Sequence, residues 1–507
     1  MEKILVVNYG SQFNQLIARR VREFGVYSEI VDFDTPLEKF ARDEVKGIIL
    51  SGGPNSVYDT SAPSIDPKIY DLKKPILGIC YGMQITQSIL GGKIESSDKR
   101  EYGKSVLKIK KNARILDGVP SESVVWMSHG DHVSKLADGF ELLACTDTCM
   151  AVVAHKEKPI YNVQFHPEVT HSEHGAKMIE NFVELCETSR SWTMHNYIER
   201  TIMEIQEEVK DKKVILGLSG GVDSSVVAML VHKAIKDNLT CIFVDTGLLR
   251  KNEGDKVMEV YGNHYHMNIE RVNAKDLFLD ALKGVKDPET KRKIIGKLFV
   301  QVFEEAKANQ NDADFLAQGT IYPDVIESST QGAGATIKSH HNVGGLPEDL
   351  NFKLLEPLKD LFKDEVRKVG LELGMPSELV NRHPFPGPGL GIRVIEEVTK
   401  EKVKILQEAD DIFISELMDA GLYHQSSQAY VALLPCKTVG VMGDGRTYEY
   451  VCAIRSVNTQ DFMTATFTRL PYEFLDIVST RIVNEVSGIN RVVYDITSKP
   501  PGTIEWE

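Results

Sequence analysis

Two stretches of this chain place reactive side chains where a strand turns into a helix. In Gly78-Ile79-Cys80-Tyr81-Gly82 a cysteine separates an apolar run from the helical stretch Met83 to Leu90. A thiol at that point faces a helix N-terminus, which favours thiolate, and the glycines on either side allow the sharp turn of a nucleophile elbow. A cysteine nucleophile needs a base, and the base needs an orienting group. Tyr161-Asn162-Val163-Gln164-Phe165 reads as a strand delivering His166-Pro167-Glu168 at its end, imidazole and carboxylate together. Leu50-Ser51-Gly52-Gly53-Pro54 adds glycine amides that can receive an oxyanion. Singly these residues are unremarkable, since most histidines are structural or solvated and a buried cysteine is usually a small apolar residue. In combination they offer a nucleophile, a base with its orienter, and a place for an oxyanion.

The second stretch is Lys213-Val214-Ile215-Leu216-Gly217-Leu218-Ser219-Gly220-Gly221-Val222-Asp223-Ser224-Ser225. A β-branched strand, a small-residue turn and a helix from Val226 to Ile235 make a phosphate cradle. Gly220 and Gly221 let amides approach an anion, while Ser219, Ser224 and Ser225 add hydroxyls. The lysine of the usual phosphate loop is replaced by Asp223, a carboxylate suited to Mg²⁺ on a pyrophosphate. Asp245 ends the next strand, Thr240 to Val244, where it can accept from a ribose or purine or cap the following turn. Phe315-Leu316-Ala317-Gln318-Gly319-Thr320 repeats the pattern, so these strand ends should share one crevice. Lys338 and Lys359 fit either a phosphate contact or a solvated surface.

The elements that must position these groups alternate strand and helix. Ile4 to Asn8, Gly47 to Ser51 and Pro75 to Ile79 read as strands, and Gln12 to Phe24 as a helix. The expected fold is α/β, with two doubly wound open-sheet domains at 1–190 and 191–381 and a small α+β domain at 382–507. A helix from Met194 to Val209 opens the second domain. In the third, a helix from Thr399 to Ala420 precedes runs at Gln428 to Leu434, Thr438 to Met442 and Tyr448 to Ser456. A turn at Gly443-Asp444-Gly445, a helix from Pro471 to Glu485 and a strand from Val492 to Ile496 complete it. His383-Pro384-Phe385-Pro386-Gly387-Pro388-Gly389 forbids regular structure and is either a linker or a rigid substrate loop; Arg382, His383 and Arg393 favour the second. The tail from Lys499 to Glu507 is proline-stiffened and carries Trp506, so it should be docked.

At 507 residues each domain can bury its own core. A formal charge of −14 argues against broad contact with nucleic acid or membrane. No cleavable signal or spanning apolar run is evident, and seven cysteines without paired CxxC spacing fit a reducing, cytoplasmic setting and give no recognisable zinc site. Cys145 and Cys149 read as structural. Trp126-Met127-Ser128-His129-Gly130-Asp131-His132 reads as lying between strands, able to line a glutamine pocket, while His171 and His174 cap a helix or face water.

Ser-Gly-Gly-Val-Asp-Ser resembles the signature loop of the ATP pyrophosphatases, which adenylate a substrate. The Cys80 elbow with His166 and Glu168 resembles class I glutamine amidotransferases. That resemblance implies Cys80 as nucleophile, His166 as general base and then acid, Glu168 as its orienter, and Gly53 with the Tyr81 amide as oxyanion hole. With the His-Pro-Phe-Pro-Gly-Pro-Gly loop and the Lys499-Pro500-Pro501-Gly502-Thr503-Ile504-Glu505-Trp506-Glu507 tail, the order of motifs resembles the family of glutamine-hydrolysing GMP synthetases. The resemblance implies glutamine, ATP and xanthosine monophosphate (XMP) as substrates, Mg²⁺ with ATP, XMP contacts at Arg292, Lys499 and Glu505, and a homodimer through the C-terminal domain.

Rival readings fit less well. A glutamine-dependent NAD synthetase has a similar phosphate loop but usually another type of glutaminase, and a tRNA-thiolating enzyme would need basic surface. A catalytically dead scaffold is hard to reconcile with intact Cys80, His166, Glu168 and Asp223.

Overall fold

A computed structural model describes residues 1–308, 313–330, 352–443, 445–459, 462 and 464–507, excepting the side chains of residues 97–100, 329–330 and 442. The chain forms two compact units, Met1–Tyr197 and Ile198–Glu507.

The first unit is built on a nine-stranded sheet. In chain order its strands are β1 (Lys3–Asn8), β2 (Tyr27–Asp32), β3 (Val45–Leu50), β4 (Ile76–Ile79), β5 (Lys93–Ile109), β6 (Glu122–Lys135), β7 (Phe140–Cys145), β8 (Met150–His155) and β9 (Ile160–Val163). The spatial order is β2-β1-β3-β4-β9-β8-β7-β5-β6. The first five run parallel and the remainder antiparallel. Ile4, Leu5, Val6 and Val7 are all buried, as a central parallel strand covered on both faces requires. The Asn14–Glu23 helix buries Ile17, Ala18 and Val21 along one stripe. Edge strand β2, too polar to announce itself, is tied on by Lys3 and Glu29 at 2.9 Å.

The antiparallel wing corrects one expectation. Trp126 to His132 belongs to β6 rather than to a connection between strands. Its polar residues and Gly130 imitate a loop, but the ribbon's alternating buried and open positions are those of a strand with one solvated face.

The second unit holds a five-stranded parallel sheet of β10 (Lys213–Gly217), β11 (Leu239–Asp245), β12 (Asn268–Asn273), β13 (Ala313–Ala317) and β14 (Lys353–Leu355). The order β12-β11-β10-β13-β14 puts β10 where the chain switches from building one side to building the other. Ligands of open α/β sheets bind outside the carboxyl ends of strands at such a switch, which is where Leu218 to Gly221 lies.

A second sheet in the same unit pairs β15 (Gln428–Met442) antiparallel with β16 (Gly445–Asn458), which also pairs with β17 (Thr466–Phe467) and, in parallel, β18 (Ile489–Tyr494). The helices Lys400–Asp419 and Tyr472–Glu485 cover it, as periodicity anticipates. Asp444 of the expected hairpin turn lies outside the described residues. One apolar core runs from Ile215, Ile242 and Phe303 through Leu390 to Phe413, Phe474 and Ile482. The stretch around residue 382 is therefore packed rather than a linker: Leu390 N donates to Leu248 O at 2.7 Å. Gly389 takes φ +60° against Leu248 O, which a Cβ would overlap.

Candidate functional site

Cys80 follows β4 directly and is the N-cap of the Tyr81–Ile89 helix, with φ +51° and ψ −103°. The left-handed conformation is carried by the cysteine itself, a strain characteristic of functional turns. The flanking glycines serve another purpose than the one read from sequence, since neither has positive φ. A Cβ on Gly82 would collide with Leu50 O, and one on Gly78 with the Asn162 carboxamide. They let the elbow close against β3 and β9.

His166 follows β9, and its Nδ1 pairs with Glu168 Oε1 at 2.7 Å in a buried setting. Burial opposes the charged imidazole, but the Glu168 carboxylate and a hydrogen bond with Cys80 outweigh it and hold His166 above the usual histidine range. An imidazole that basic can take the thiol proton. The ring's setting is fixed by Phe13 at 5.2 Å and by Ser172 Oγ, which donates to His166 O at 2.6 Å. Gly52 borders the same space: a Cβ there would lie 3.0 Å from His166 Cε1 and 3.7 Å from Cys80 Cβ. A Cβ on Gly53 would lie 3.5 Å from the Tyr81 ring, so the two expected oxyanion residues are neighbours. The Tyr81 amide, first in its helix, has no partner within that helix.

Glu168→Gln keeps an acceptor for Nδ1 but removes the charge that raises His166. Each pKa unit lost by the imidazole reduces its capture of the thiol proton about tenfold. Iodoacetamide should therefore modify Cys80 at neutral pH about tenfold or more slowly in this variant, with the gap closing as pH rises. Equal rates across the pH range would show that Glu168 does not set the base.

In the second unit, Gly220 has φ +75° and Gly221 caps the Val222–Ile235 helix. Ser219 and Ser224 hydroxyls lie 3.0 Å apart, the Gly221 amide donates to Ser219 Oγ at 3.3 Å, and Ser225 Oγ donates to Gly221 O at 2.7 Å. Tyr261 OH supports Ser225 at 2.6 Å. The loop is thus pre-shaped, with its amides and two hydroxyls at a helix N-terminus. Asp223 Oδ2 pairs with Lys363 Nζ at 2.5 Å, while its Oδ1 is buried without a hydrogen-bond partner. An orphaned carboxylate oxygen beside a phosphate cradle fits Mg²⁺, which takes one or two protein carboxylates and completes its shell with phosphates and water.

Of the other expected contacts, Lys338 lies outside the described residues, and Lys359 is exposed on the loop after β14. The lysine brought to Asp223 is Lys363, four residues further on, at the first position of a helix. Nothing local in the sequence distinguishes it from Lys359. Arg382 donates to Gly220 O at 2.6 Å and pairs with Glu253, so the residue just before the proline-glycine stretch holds the phosphate loop. Asp245 stands at the end of β11, beside a cleft of about 570 Å³ that Lys275 and Lys404 also line. Its carboxylate already accepts from Arg271 Nη2 at 2.5 Å and from the Gly247 amide at 3.1 Å.

The tail is docked. Arg455, almost fully buried, donates to Thr497 O, Thr503 O and Ile504 O. Ile504 rather than Trp506 is the buried anchor; the Trp506 indole donates to Asp495 at 3.0 Å while its ring is 40% exposed. Glu505 pairs with the fully buried Arg393 at 2.8 Å. Removing one partner of such a pair costs about 3–5 kcal/mol. Arg292 Nη2 donates to Glu507 O at 2.6 Å, so Arg292 meets the end of the tail that also carries Glu505, whereas Lys499 Nζ at the start of the tail donates to Phe462 O at 2.7 Å.

Three family models match the chain: class-I glutamine amidotransferase over residues 5–186, NAD synthase over 194–293 and GMP synthase C terminal domain over 415–506. The curated relatives include "GMP synthase [glutamine-hydrolyzing]" of Fusobacterium nucleatum, 61% identical and covering 99% of either chain. Proteins of the same description from Mesoplasma florum and Brachyspira hyodysenteriae are 60% and 55% identical, each over 100% of this chain and 99% of the relative.

Proposed function

The chain belongs to the family of glutamine-hydrolysing GMP synthases, and from that premise we propose how its residues divide the family's reaction. Glutamine is hydrolysed to ammonia, ATP adenylates XMP with release of pyrophosphate, and ammonia displaces AMP to leave GMP. A carbonyl oxygen leaves poorly, and joining it to phosphorus makes AMP the departing group. The observation that carries the division is a strained cysteine beside a basic His-Glu pair in one unit and a Ser-Gly-Gly-Val-Asp loop in the other.

In the first unit Cys80 Sγ attacks the glutamine carboxamide after His166 takes its proton. Gly53 and Tyr81 amides receive the developing oxyanion. His166 returns the proton to departing ammonia, and water then hydrolyses the thioester on the same base. Glu168 holds the imidazole in the required tautomer and charge. In the second unit Ser219, Gly220, Gly221, Val222, Ser224 and Ser225 cradle the ATP phosphates. Asp223 holds Mg²⁺, which when bound neutralises charge on the leaving pyrophosphate. Lys363, with Lys359 and Lys338 as further candidates, offers a cation to the same oxygens. Asp245 accepts from the nucleoside only after exchanging an Arg271 or Lys275 contact. Arg292, Lys499 and Glu505 meet XMP, the two cations suiting its phosphate, and Arg393 holds the Glu505 carboxylate in place.

The three-domain division at 1–190, 191–381 and 382–507 follows these roles. A homodimer through the last domain is supported by exposed Val439, Val441 and Tyr448 on the β15–β16 hairpin; light scattering on the full chain tests it. Cytoplasmic placement and small-molecule rather than nucleic-acid partners rest on the charge of −14 and the free cysteines. No helix of the described residues is long and apolar enough to cross a membrane. Incubation with ATP, XMP, Mg²⁺ and glutamine should yield AMP, pyrophosphate and GMP in equal amounts. Glutamate without GMP, or pyrophosphate without XMP, would refute the assignment.

A further inference from the structure

Outside both sites, three ligating side chains converge on the antiparallel wing of the first unit. The β5–β6 register sets Glu101 directly opposite His129. The turn between β7 and β8 brings Cys149 to the same point. His129 Nε2 lies 3.5 Å from Glu101 Oε2 and 4.0 Å from Cys149 Sγ. All three ligand atoms fall within 4.8 Å of one another.

We propose that Glu101, His129 and Cys149 bind one divalent cation of the zinc class. Bonds of about 2.0 Å to nitrogen and oxygen and about 2.3 Å to sulfur put tetrahedral ligand atoms roughly 3.3–3.6 Å apart. The imidazole and carboxylate already have that separation, and the thiol must close by about half an ångström on the imidazole and from within 4.8 Å on the carboxylate. A thiolate, an imidazole and a single carboxylate select zinc-like ions over Mg²⁺ or Ca²⁺, which want oxygen ligands. Charge also balances: one thiolate and one carboxylate neutralise a divalent ion, so nothing uncompensated is buried. A fourth position stays open to water or another small ligand.

The surrounding hydroxyls orient the set. Ser105 Oγ donates to Glu101 Oε1 at 2.5 Å, Thr148 Oγ1 donates to Glu101 Oε2, and Thr146 Oγ1 lies 3.5 Å from Cys149 Sγ. Such partners commonly fix first ligands at metal centres. The arrangement is not a second nucleophile relay. A relay places its carboxylate on the imidazole nitrogen remote from the thiol, as Glu168 does on His166 Nδ1. Here carboxylate and thiol both approach Nε2. Spacing along the chain could not reveal the site, because its ligands come from three separate segments.

The test uses the full chain carrying Cys80→Ala, which removes the reactive thiol as a competing ligand. Titration with Co²⁺ should give a thiolate-to-metal absorption band that saturates at one equivalent and is displaced by Zn²⁺. Adding Cys149→Ser should abolish the band and weaken Zn²⁺ binding by about a hundredfold or more, measured against a chromogenic chelator. Glu101 is at the open edge of the cluster, so Glu101→Gln tests the site without emptying the core. It should weaken Zn²⁺ about tenfold to a hundredfold while keeping the band. Thermal melts of the metal-free variants check folding, and if Cys149→Ser melts early the Glu101→Gln result decides. No saturating band, or Zn²⁺ affinity unchanged in Glu101→Gln, overturns the proposal.

Discussion

Cys80→Ala should abolish GMP formation from glutamine and leave formation from ammonium salts unchanged. The first loss is large because no other group can form the thioester; removing a nucleophile from a comparable hydrolase costs on the order of 10⁶ in kcat. The fold should survive. Alanine tolerates the φ of +51° at residue 80 no worse than cysteine does, and losing one buried sulfur costs roughly 1 kcal/mol. Ammonium then supplies NH₃ directly, most effectively at mildly alkaline pH where more of it is unprotonated, and the residues proposed for adenylation all lie in the other unit. The measurement is GMP released with saturating glutamine or ammonium, alongside a melting curve. Failure with ammonium in a folded variant would mean that Cys80 also serves the adenylating chemistry, and the division of labour would be wrong.

Part of this site is written locally and could be read from the chain. A β-branched run, a turn of small residues and a helix are consecutive in sequence, so the Cys80 elbow and the Ser219–Ser225 loop were visible as motifs, and the helices Lys400–Asp419 and Tyr472–Glu485 as periodic segments. What was not visible depends on pairings between distant residues. Lys363 meets Asp223 across 140 positions and Arg382 meets Gly220 across 162, and no spacing rule ranks Lys363 above Lys359. The wing from β5 to β8 was obscured because polar β6 resembles a loop until β5 is placed beside it. The glycines beside Cys80 show how a motif can carry another reason than the expected one: Gly78 and Gly82 are required by the nearness of β9 and β3, not by their own dihedral angles.

The other large effect is expected at Asp223. Asp223→Asn preserves shape while removing the negative charge assigned to Mg²⁺, and XMP-dependent pyrophosphate release should slow by about 10²–10³, the range for losing one preorganised electrostatic contact. The Mg²⁺ concentration for half-maximal rate should rise as well. A structural reading competes with this one, because Asp223 also pairs with Lys363 and either role predicts some loss. The side chains of that pair are 31% and 46% exposed, so as an ion pair it contributes only about 0–1 kcal/mol. Breaking the pair should therefore leave the fold intact, which a melting curve checks. Lys363→Met breaks the same pair from the other side, which separates the readings. If the carboxylate serves Mg²⁺ and the ammonium serves phosphate, Asp223→Asn shifts the Mg²⁺ response, whereas Lys363→Met raises the KM for ATP and leaves that response alone. If the pair only braces the loop, both variants and their combination should show the same modest loss with an unaltered Mg²⁺ dependence, and the metal assignment of Asp223 fails.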